Sequence, residues 1–439
     1  MNKAPETARA FDLALPPLEL EAGAVVRDHF VRGWWWGPSD DLAVLESLCP
    51  VTDDAESASA GQIPVKRSRA DLGRLHEKCA MLRAAKKQTL DRNIPTVVIV
   101  HALTGDARAG GKNGWWEPLI GPGLALDPDT HRLLCFNLLG SCYGTSGFAD
   151  EGFPTRADDS HFLPSTGPEL DGYAIPETKV PATITTYDQA RSILMALNEL
   201  GIESVHLITG GSLGAMVLSA LAALEPFRCE RILPIGAFDY SSSWIIGWNH
   251  VQRAALLLDP GFPDNPRRGL SLARQIGMLT YRSEKSLEIR QGRNMADESD
   301  WSSRAHYRVH TYLEHQGSKL LGRFHGGAYL SMIGAMDHHD LARIPWWIED
   351  SQREFRRSWG VERIQAAAMC VGIDTDELFF PENIRRFADK LVANGNAVSY
   401  DTLITPHGHD GFLIEMEQMD SLLRRAMILP GPKPPMQTG

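Results

Sequence analysis

The chain has 439 residues, 43% hydrophobic, 23% charged and 8% aromatic, which is enough to bury a large core without disulfide or metal staples. Its 44 Lys and Arg against 55 Asp and Glu give a net charge of −11 with no long basic run, which argues against nucleic acid as a partner. No apolar stretch approaches the roughly 20 residues that span a bilayer, so no membrane partner is expected.

Taken in chain order, the opening MNKAPETARAFDLALPP carries acids and prolines where a secretory segment needs a basic and then an apolar run. Residues 1–40 are expected to give N-terminal strands of a core. Residues 41–92 are charged, contain Ala and Leu, and lack strand runs; they read as a helical or partly ordered insertion. Short β-branched runs then stand before glycines or turn residues, at 96–103 (TVVIVHAL), 133–139 (LLCFNLL), 205–209 (VHLIT), 231–235 (RILPI), 367–373 (AAMCVGI) and 398–404 (VSYDTLI). Runs of this length without polar alternation predict strands buried on both faces, as in a parallel sheet. Helical patterns lie between them, at 187–200, closing at Gly201, and at 212–224, closing before Pro226. Alternating strand and helix predicts an α/β fold, a mostly parallel sheet with helices on both faces. Residues 93–258 and 359–428 are the two parts of that core. Between them, 259–358 lack any buried-strand run and carry amphipathic patterns at 270–279 and 308–321, which predicts an inserted helical cap over the carboxyl edge of the sheet. The tail 429–439 (LPGPKPPMQTG) reads as disordered. Six cysteines (Cys49, Cys79, Cys135, Cys142, Cys229 and Cys370) show no C-x-x-C or paired spacing, so neither a disulfide framework nor a zinc site is indicated and a soluble, cytoplasmic protein is expected.

The sharpest local signal is Gly210-Gly211-Ser212-Leu213-Gly214, between a predicted strand and a predicted helix. A serine on that tight turn needs small neighbours, and the turn lifts its hydroxyl above the sheet edge beside a helix N-terminus. Such a nucleophile takes an acid and a histidine downstream, in that order. The strand 367–373 runs into Asp374, Asp376 and Glu377, and the strand 398–404 runs into His407, His409 and Asp410. Spacing alone does not choose among those three acids or those two histidines. The HGHD string lacks a Glu/His pair at helical spacing, and no metal is expected. An oxyanion hole in such a fold takes the backbone N–H of Leu213 and one from the loop after an early strand, here Leu103-Thr104-Gly105-Asp106. The stretch 324–329 (FHGGAY) resembles the HGGG loop of lipases, but follows the serine instead of preceding it. It reads as a glycine turn between cap helices.

Several stretches together resemble the homoserine O-acetyltransferase family of α/β-hydrolase-fold acyltransferases. They are HALTG (101–105), GWWEPLIGPG (114–123), FNLLGSCYGTSG (136–147), GGSLGAM (210–216), WNHVQRAALLLDP (248–260), GLSLARQIGMLTYRS (269–283), YLEHQGSKLLGRF (312–324), AMDHHD (335–340), TDELFFP (375–381) and GHDGFLIE (408–415), in family order across about 94–425. The resemblance implies an α/β-hydrolase fold with Ser212, Asp376 and His409 as the catalytic triad and Leu103 as the second oxyanion donor. It also implies Arg282 and Asp410 as the groups that hold the carboxylate and ammonium of an amino-acid substrate. The implied activity is ping-pong transfer of an acetyl group from acetyl-CoA to the side-chain hydroxyl of L-homoserine, in methionine biosynthesis, by a homodimer without a cofactor. Three departures stand out. Leu213 and Ala215 replace Met and Gly of the usual GGSMGG, residues 323–329 depart from R-F-D-x-N-S-Y, and the 41–92 stretch swells the run before HALTG. Relatives that succinylate homoserine or acylate serine, and an esterase of the same fold, are the alternatives.

Overall fold

The computed structural model describes residues 8–38, 41–51, 66–85, 90–157, 179–295, 302, 306–349 and 358–431. Its main sheet has nine strands: β1 (Arg9–Leu15), β2 (His29–Trp36), β3 (Cys49–Pro50), β4 (Thr96–Val100), β5 (Arg132–Phe136), β6 (Leu207–Gly211), β7 (Arg231–Ile235), β8 (Ala367–Ile373) and β9 (Val398–Leu403). Their spatial order is β9-β8-β7-β6-β4-β5-β2-β1-β3. From β9 to β5 every pairing is parallel, and β2, β1 and β3 continue the sheet antiparallel. Every residue of β4, β5, β6 and β8 is buried. The two-residue period of a strand sends alternate side chains into two cores. Val98 and Val100 join the cluster under the central helices, whereas Val97 and Ile99 join the one under the C-terminal helix.

The longer helices are α1 (Arg69–Ala85), α2 (Thr186–Glu199), α3 (Leu213–Leu224), α4 (Ser243–Leu257), α5 (Arg267–Tyr281), α6 (Glu284–Arg290), α7 (Arg308–Leu321), α8 (Gly326–Asp337), α9 (Pro381–Ala393) and α10 (Met416–Met427). α2 begins at a complete capping box: the Thr185 hydroxyl accepts from Asp188 N–H and the Asp188 carboxylate accepts from Thr185 N–H. α3 is buried on all sides and sits on β6 and β7, while α10 lays Met419, Leu422, Leu423 and Ala426 on the opposite face. α4 to α8 all lie between β7 and β8, and α5 packs against both α4 and α7. Among the described residues no helix is long and apolar enough to cross a membrane.

Several boundaries differ from the sequence reading. β4 ends at Val100 because His101 leaves the ladder and uses its ring to bind Ala102 O and Leu138 N–H. β6 starts later than the VHLIT run and continues through Gly210-Gly211. The helical run after β7 opens at Ser243, where Ser242 caps it by accepting from Ile245 N–H. Residues 324–329 are not a glycine turn. His325 caps α8, its Nδ1 accepting from Gly327 N–H, and Gly326 and Gly327 form the first turn. A Cβ on Gly327 would come within 2.0 Å of the Phe148 ring, and one on Gly326 within 2.5 Å of Pro266. Those glycines exist for close packing, which no turn rule anticipates.

The 41–92 stretch carries a strand after all. β3 pairs with β1, Asp12 opposite Cys49, and is too short to register as an apolar run. The stretch is fastened by two buried ion pairs. Arg132 holds Asp41 with two hydrogen bonds of 2.8 Å, and Arg67 holds Asp150 with bonds of 2.8 and 2.6 Å. Residues 52–65 and 86–89, and the tail from 432, lie outside the described residues.

Candidate active site

The loops that leave β4, β5, β6 and β9 at their carboxyl ends converge on one cavity of about 550 Å³. Ser212 occupies the turn from β6 into α3 with φ 56° and ψ −126°, a left-handed backbone that a non-glycine residue adopts only under constraint. The constraint is the Val100 carbonyl of β4. A Cβ on Gly210 would sit 2.3 Å from that oxygen and one on Gly214 2.2 Å from it. The G-x-S-x-G spacing is therefore a steric requirement of seating α3 against β4.

Asp376 follows β8, its N–H donating to Ile373 O. One carboxylate oxygen, Oδ1, accepts from the backbone N–H groups of Leu378 and Phe379 at 2.9 and 2.8 Å. The other, Oδ2, accepts a hydrogen bond from His409 Nδ1 at 2.6 Å. His409 lies in the helical turn after β9, stacked on the Phe379 ring at 4.9 Å. Its Nε2 is buried without a hydrogen-bond partner among the described residues, and the ring lines the cavity together with Ser212. Burial works against the imidazolium, yet the Asp376 charge, the hydrogen bond to it and the nearby Asp410 outweigh burial and raise His409 above its ordinary 6.5.

Of the acids and histidines that spacing left open, the structure brings Asp376 and His409 together. Asp374 instead accepts from Thr405 N–H at 2.8 Å and ties two loops. At Glu377 it is the backbone carbonyl that is engaged, accepting from the Trp244 indole at 2.8 Å. His407 turns to the Ser286 hydroxyl at 3.3 Å.

Leu103 and Leu213 both belong to turns around the cavity, and among the described residues neither backbone N–H has a protein acceptor. The Leu103 loop is held rigidly. His101 Nε2 accepts from Leu138 N–H at 3.0 Å, so its Nδ1 carries the proton and donates to Ala102 O at 2.8 Å. Burial lowers His101 to about 4 and keeps it neutral in that tautomer. From the other side, Arg323 donates to Thr104 O at 2.5 Å and to the Tyr143 hydroxyl at 2.9 Å.

Asp410 lines the cavity, but Arg282 does not. Arg282 stands behind Asp410, its Nη2 3.2 Å from Asp410 Oδ2. The structure thus places Arg282 against Asp410 and not on the wall of this cavity. Three arginines line the wall: Arg108, over the Trp34 ring, Arg323, bound to Thr104 O and the Tyr143 hydroxyl, and Arg274, which shares a helical face with Tyr281 and lies over its ring at 5.5 Å. Arg274 has no carboxylate partner among the described residues. A seven-residue spacing of Arg and Tyr along an amphipathic helix was the signal for this pair. Among the described residues no cluster of three His, Cys, Asp or Glu is placed to hold a metal.

A serine after one parallel strand and a carboxylate–histidine pair after two later ones make up the α/β-hydrolase plan, and a match to the alpha/beta hydrolase fold family spans residues 95–415. Sequence relatives narrow this further. The chain is 33% identical over 343 residues to a homoserine O-acetyltransferase of Moorella thermoacetica, covering 75% of this chain and 84% of the relative. It is 36% identical over 347 residues to that of Symbiobacterium thermophilum, covering 75% and 83%. The chain therefore belongs to the homoserine O-acetyltransferase family of O-acyltransferase enzymes. Solved structures agree on the fold: a homoserine O-acetyltransferase from Bacillus anthracis superposes with a TM-score of 0.69 at 16% identity over 97% of this chain and 99% of that one. Esterase E22 gives 0.67 at 16% identity over 96% and 100%.

Proposed function

We propose that the protein transfers an acetyl group from acetyl-CoA to the side-chain hydroxyl of L-homoserine, by a ping-pong mechanism on Ser212. The observation that carries this reading is the pairing of a serine–histidine–carboxylate arrangement with charged groups for an amino acid, Asp410 and Arg274, on one cavity wall. His409, oriented by Asp376, takes the Ser212 proton as the hydroxyl oxygen attacks the thioester carbon. The oxyanion is received by the N–H groups of Leu103 and Leu213, each donor contributing about 3–4 kcal/mol as in serine hydrolases. The C–S bond breaks, CoA leaves with the proton from His409, and an acetyl-serine remains. The acceptor hydroxyl then gives its proton to His409, attacks the ester, and leaves acetylated as Ser212 regains its proton.

Transfer has to outrun hydrolysis by water at about 55 M, which requires an acceptor held at high effective molarity. In this reading Asp410 meets the ammonium and Arg274 the carboxylate. Transfer of an acyl group moves no electrons between the substrates, so the reaction as written uses acetyl-CoA as co-substrate and no resident cofactor. The helices from 259 to 358 act as the cap that narrows access, over a core made of 93–258 and 359–428. Trp244, Ile246, Val251, Leu272 and Leu279 are exposed apolar side chains on α4 and α5, which supports a homodimer formed on that face. All six cysteines are free and buried, in keeping with a cytoplasmic enzyme of methionine biosynthesis.

The test is release of free CoA from acetyl-CoA and succinyl-CoA, each with L-homoserine, L-serine or no acceptor. Release with acetyl-CoA should depend on L-homoserine. Release that ignores the acceptor would make the protein a thioesterase, and a preference for succinyl-CoA or serine would reassign donor or acceptor.

A further inference from the structure

We infer that Arg282 is a positioning residue that fixes Asp410 for the substrate ammonium and does not itself touch the substrate. The inference rests on the transferase reading above and adds a residue to its acceptor site. Three observations carry it. First, the Arg282 guanidinium has a single anionic partner among the described residues, Asp410, through Nη2 at 3.2 Å. Second, its Nε and Nη1 are buried and have no hydrogen-bond partner. A two-pronged grip on a substrate carboxylate pairs Nη2 with Nε or with Nη1; Nη2 faces Asp410 and the other two are closed off. Third, the cavity wall includes Asp410 but not Arg282. The carboxylate thus has the cavity on one side and the guanidinium on the other.

The surroundings hold the arginine where it is. Arg282 is the C-cap of α5, and Ser283 opens α6. The Ser283 hydroxyl donates to Pro406 O, on the loop that carries His409. Gly408, with φ +70°, lies so near that a Cβ there would be 2.6 Å from Ser283 N and 2.9 Å from Arg282 C. The α5–α6 junction and the histidine loop are therefore packed backbone to backbone. A guanidinium locked there, with two donor nitrogens unsatisfied, is a costly arrangement. Its one return is a charge-assisted contact that keeps Asp410 from swinging toward His409 or into solvent. With Arg282 in place, one carboxylate oxygen is engaged and the other is left for an ammonium.

Two acceptor analogues separate this role from direct binding. 4-Hydroxybutanoate lacks the ammonium of homoserine, and 3-aminopropan-1-ol lacks its carboxylate. Acetyl transfer to each is measured as kcat/KM for wild type, Arg282→Gln, Arg282→Lys, Asp410→Asn and the double variant Arg282→Gln/Asp410→Asn. In Arg282→Gln the preference for homoserine over 4-hydroxybutanoate should fall about tenfold or more, as losing one charge-assisted contact entails. The preference over 3-aminopropan-1-ol should stay within error. Arg282→Lys should recover part of the loss, and the double variant should be no worse than Asp410→Asn alone. If the preference over 3-aminopropan-1-ol collapses instead, Arg282 grips the carboxylate and the inference is wrong. Equal losses on all three acceptors, or additive losses in the double variant, would reduce Arg282 to a general structural part and also overturn it. Arg282→Lys keeps the charge and serves the same comparison if Arg282→Gln does not fold. A wild type that transfers acetyl to none of the three would sink the transferase reading, and the inference with it.

Discussion

In the proposed mechanism His409 has to be neutral to accept the Ser212 proton and charged immediately afterwards, and its surroundings favour the charged state. Burial opposes the imidazolium, but Asp376 at 2.6 Å outweighs it and raises the histidine above 6.5. Because the protonated ring cannot accept a proton, kcat/KM for acetyl-CoA should fall on the acid side with a midpoint above 6.5. Asp376→Asn removes the larger raising charge and leaves only Asp410 to oppose burial, so that midpoint should move down. The same variant should lose about 10⁴ in rate, since the imidazolium and the tautomer both lose their support. A pH–rate profile of both proteins checks this, and an unmoved midpoint would remove Asp376 from its role. At this scale the sequence was partly legible. The resemblance singled out Asp376 and His409, and those two meet, while Asp374 and His407 turn to Thr405 and Ser286. The place of Arg282 was not legible, because a one-residue step past the end of α5 moves a side chain off the face that carries Arg274 and Tyr281.

The element that makes the site is the β6–Ser212–α3 turn, and its tolerance is set by the Val100 carbonyl. Gly214→Ala adds a Cβ that would sit 2.2 Å from that backbone oxygen, which cannot rotate away. The helix must shift, at a cost of about 1–3 kcal/mol, and the serine with it, so activity should fall more than stability. Gly73→Ala is the matched control. It lies on the exposed face of α1 with nothing within 4 Å of the added Cβ. There the exchange should stabilise by about 0.5–1 kcal/mol, because alanine loses less backbone freedom in a helix. Urea unfolding and a turnover assay on both variants test the pair, and a neutral Gly214→Ala would contradict the steric account. Elements of this kind were readable because burial on both faces writes an unbroken apolar run, as in β4 and β8. β3 was not readable, since two residues at a sheet edge leave no periodicity to detect.

Over the whole molecule, the sheet edge formed by β1 and β3 is joined to the centre by charges that cannot reach water. Arg132 and Asp41 are 3% and 1% exposed and share two hydrogen bonds. Asp41→Ala leaves a guanidinium buried without its counter-ion and should cost about 3–5 kcal/mol, whereas pairing it with Arg132→Met should return much of that. Chemical denaturation decides the point, and a loss below about 1 kcal/mol would mark the pair as no stronger than a surface one. No pattern in the sequence announced this link, because Asp41 and Arg132 are far apart in the chain and only the fold makes them neighbours. The central claim is that Ser212 carries the acyl group between two substrates. Wild-type protein mixed briefly with acetyl-CoA and quenched should gain one acetyl group, located by peptide mass on the fragment containing Ser212. A chase with L-homoserine should discharge it into O-acetylhomoserine faster than buffer alone releases acetate. An acetyl group on any other residue, or discharge that is indifferent to homoserine, would contradict it.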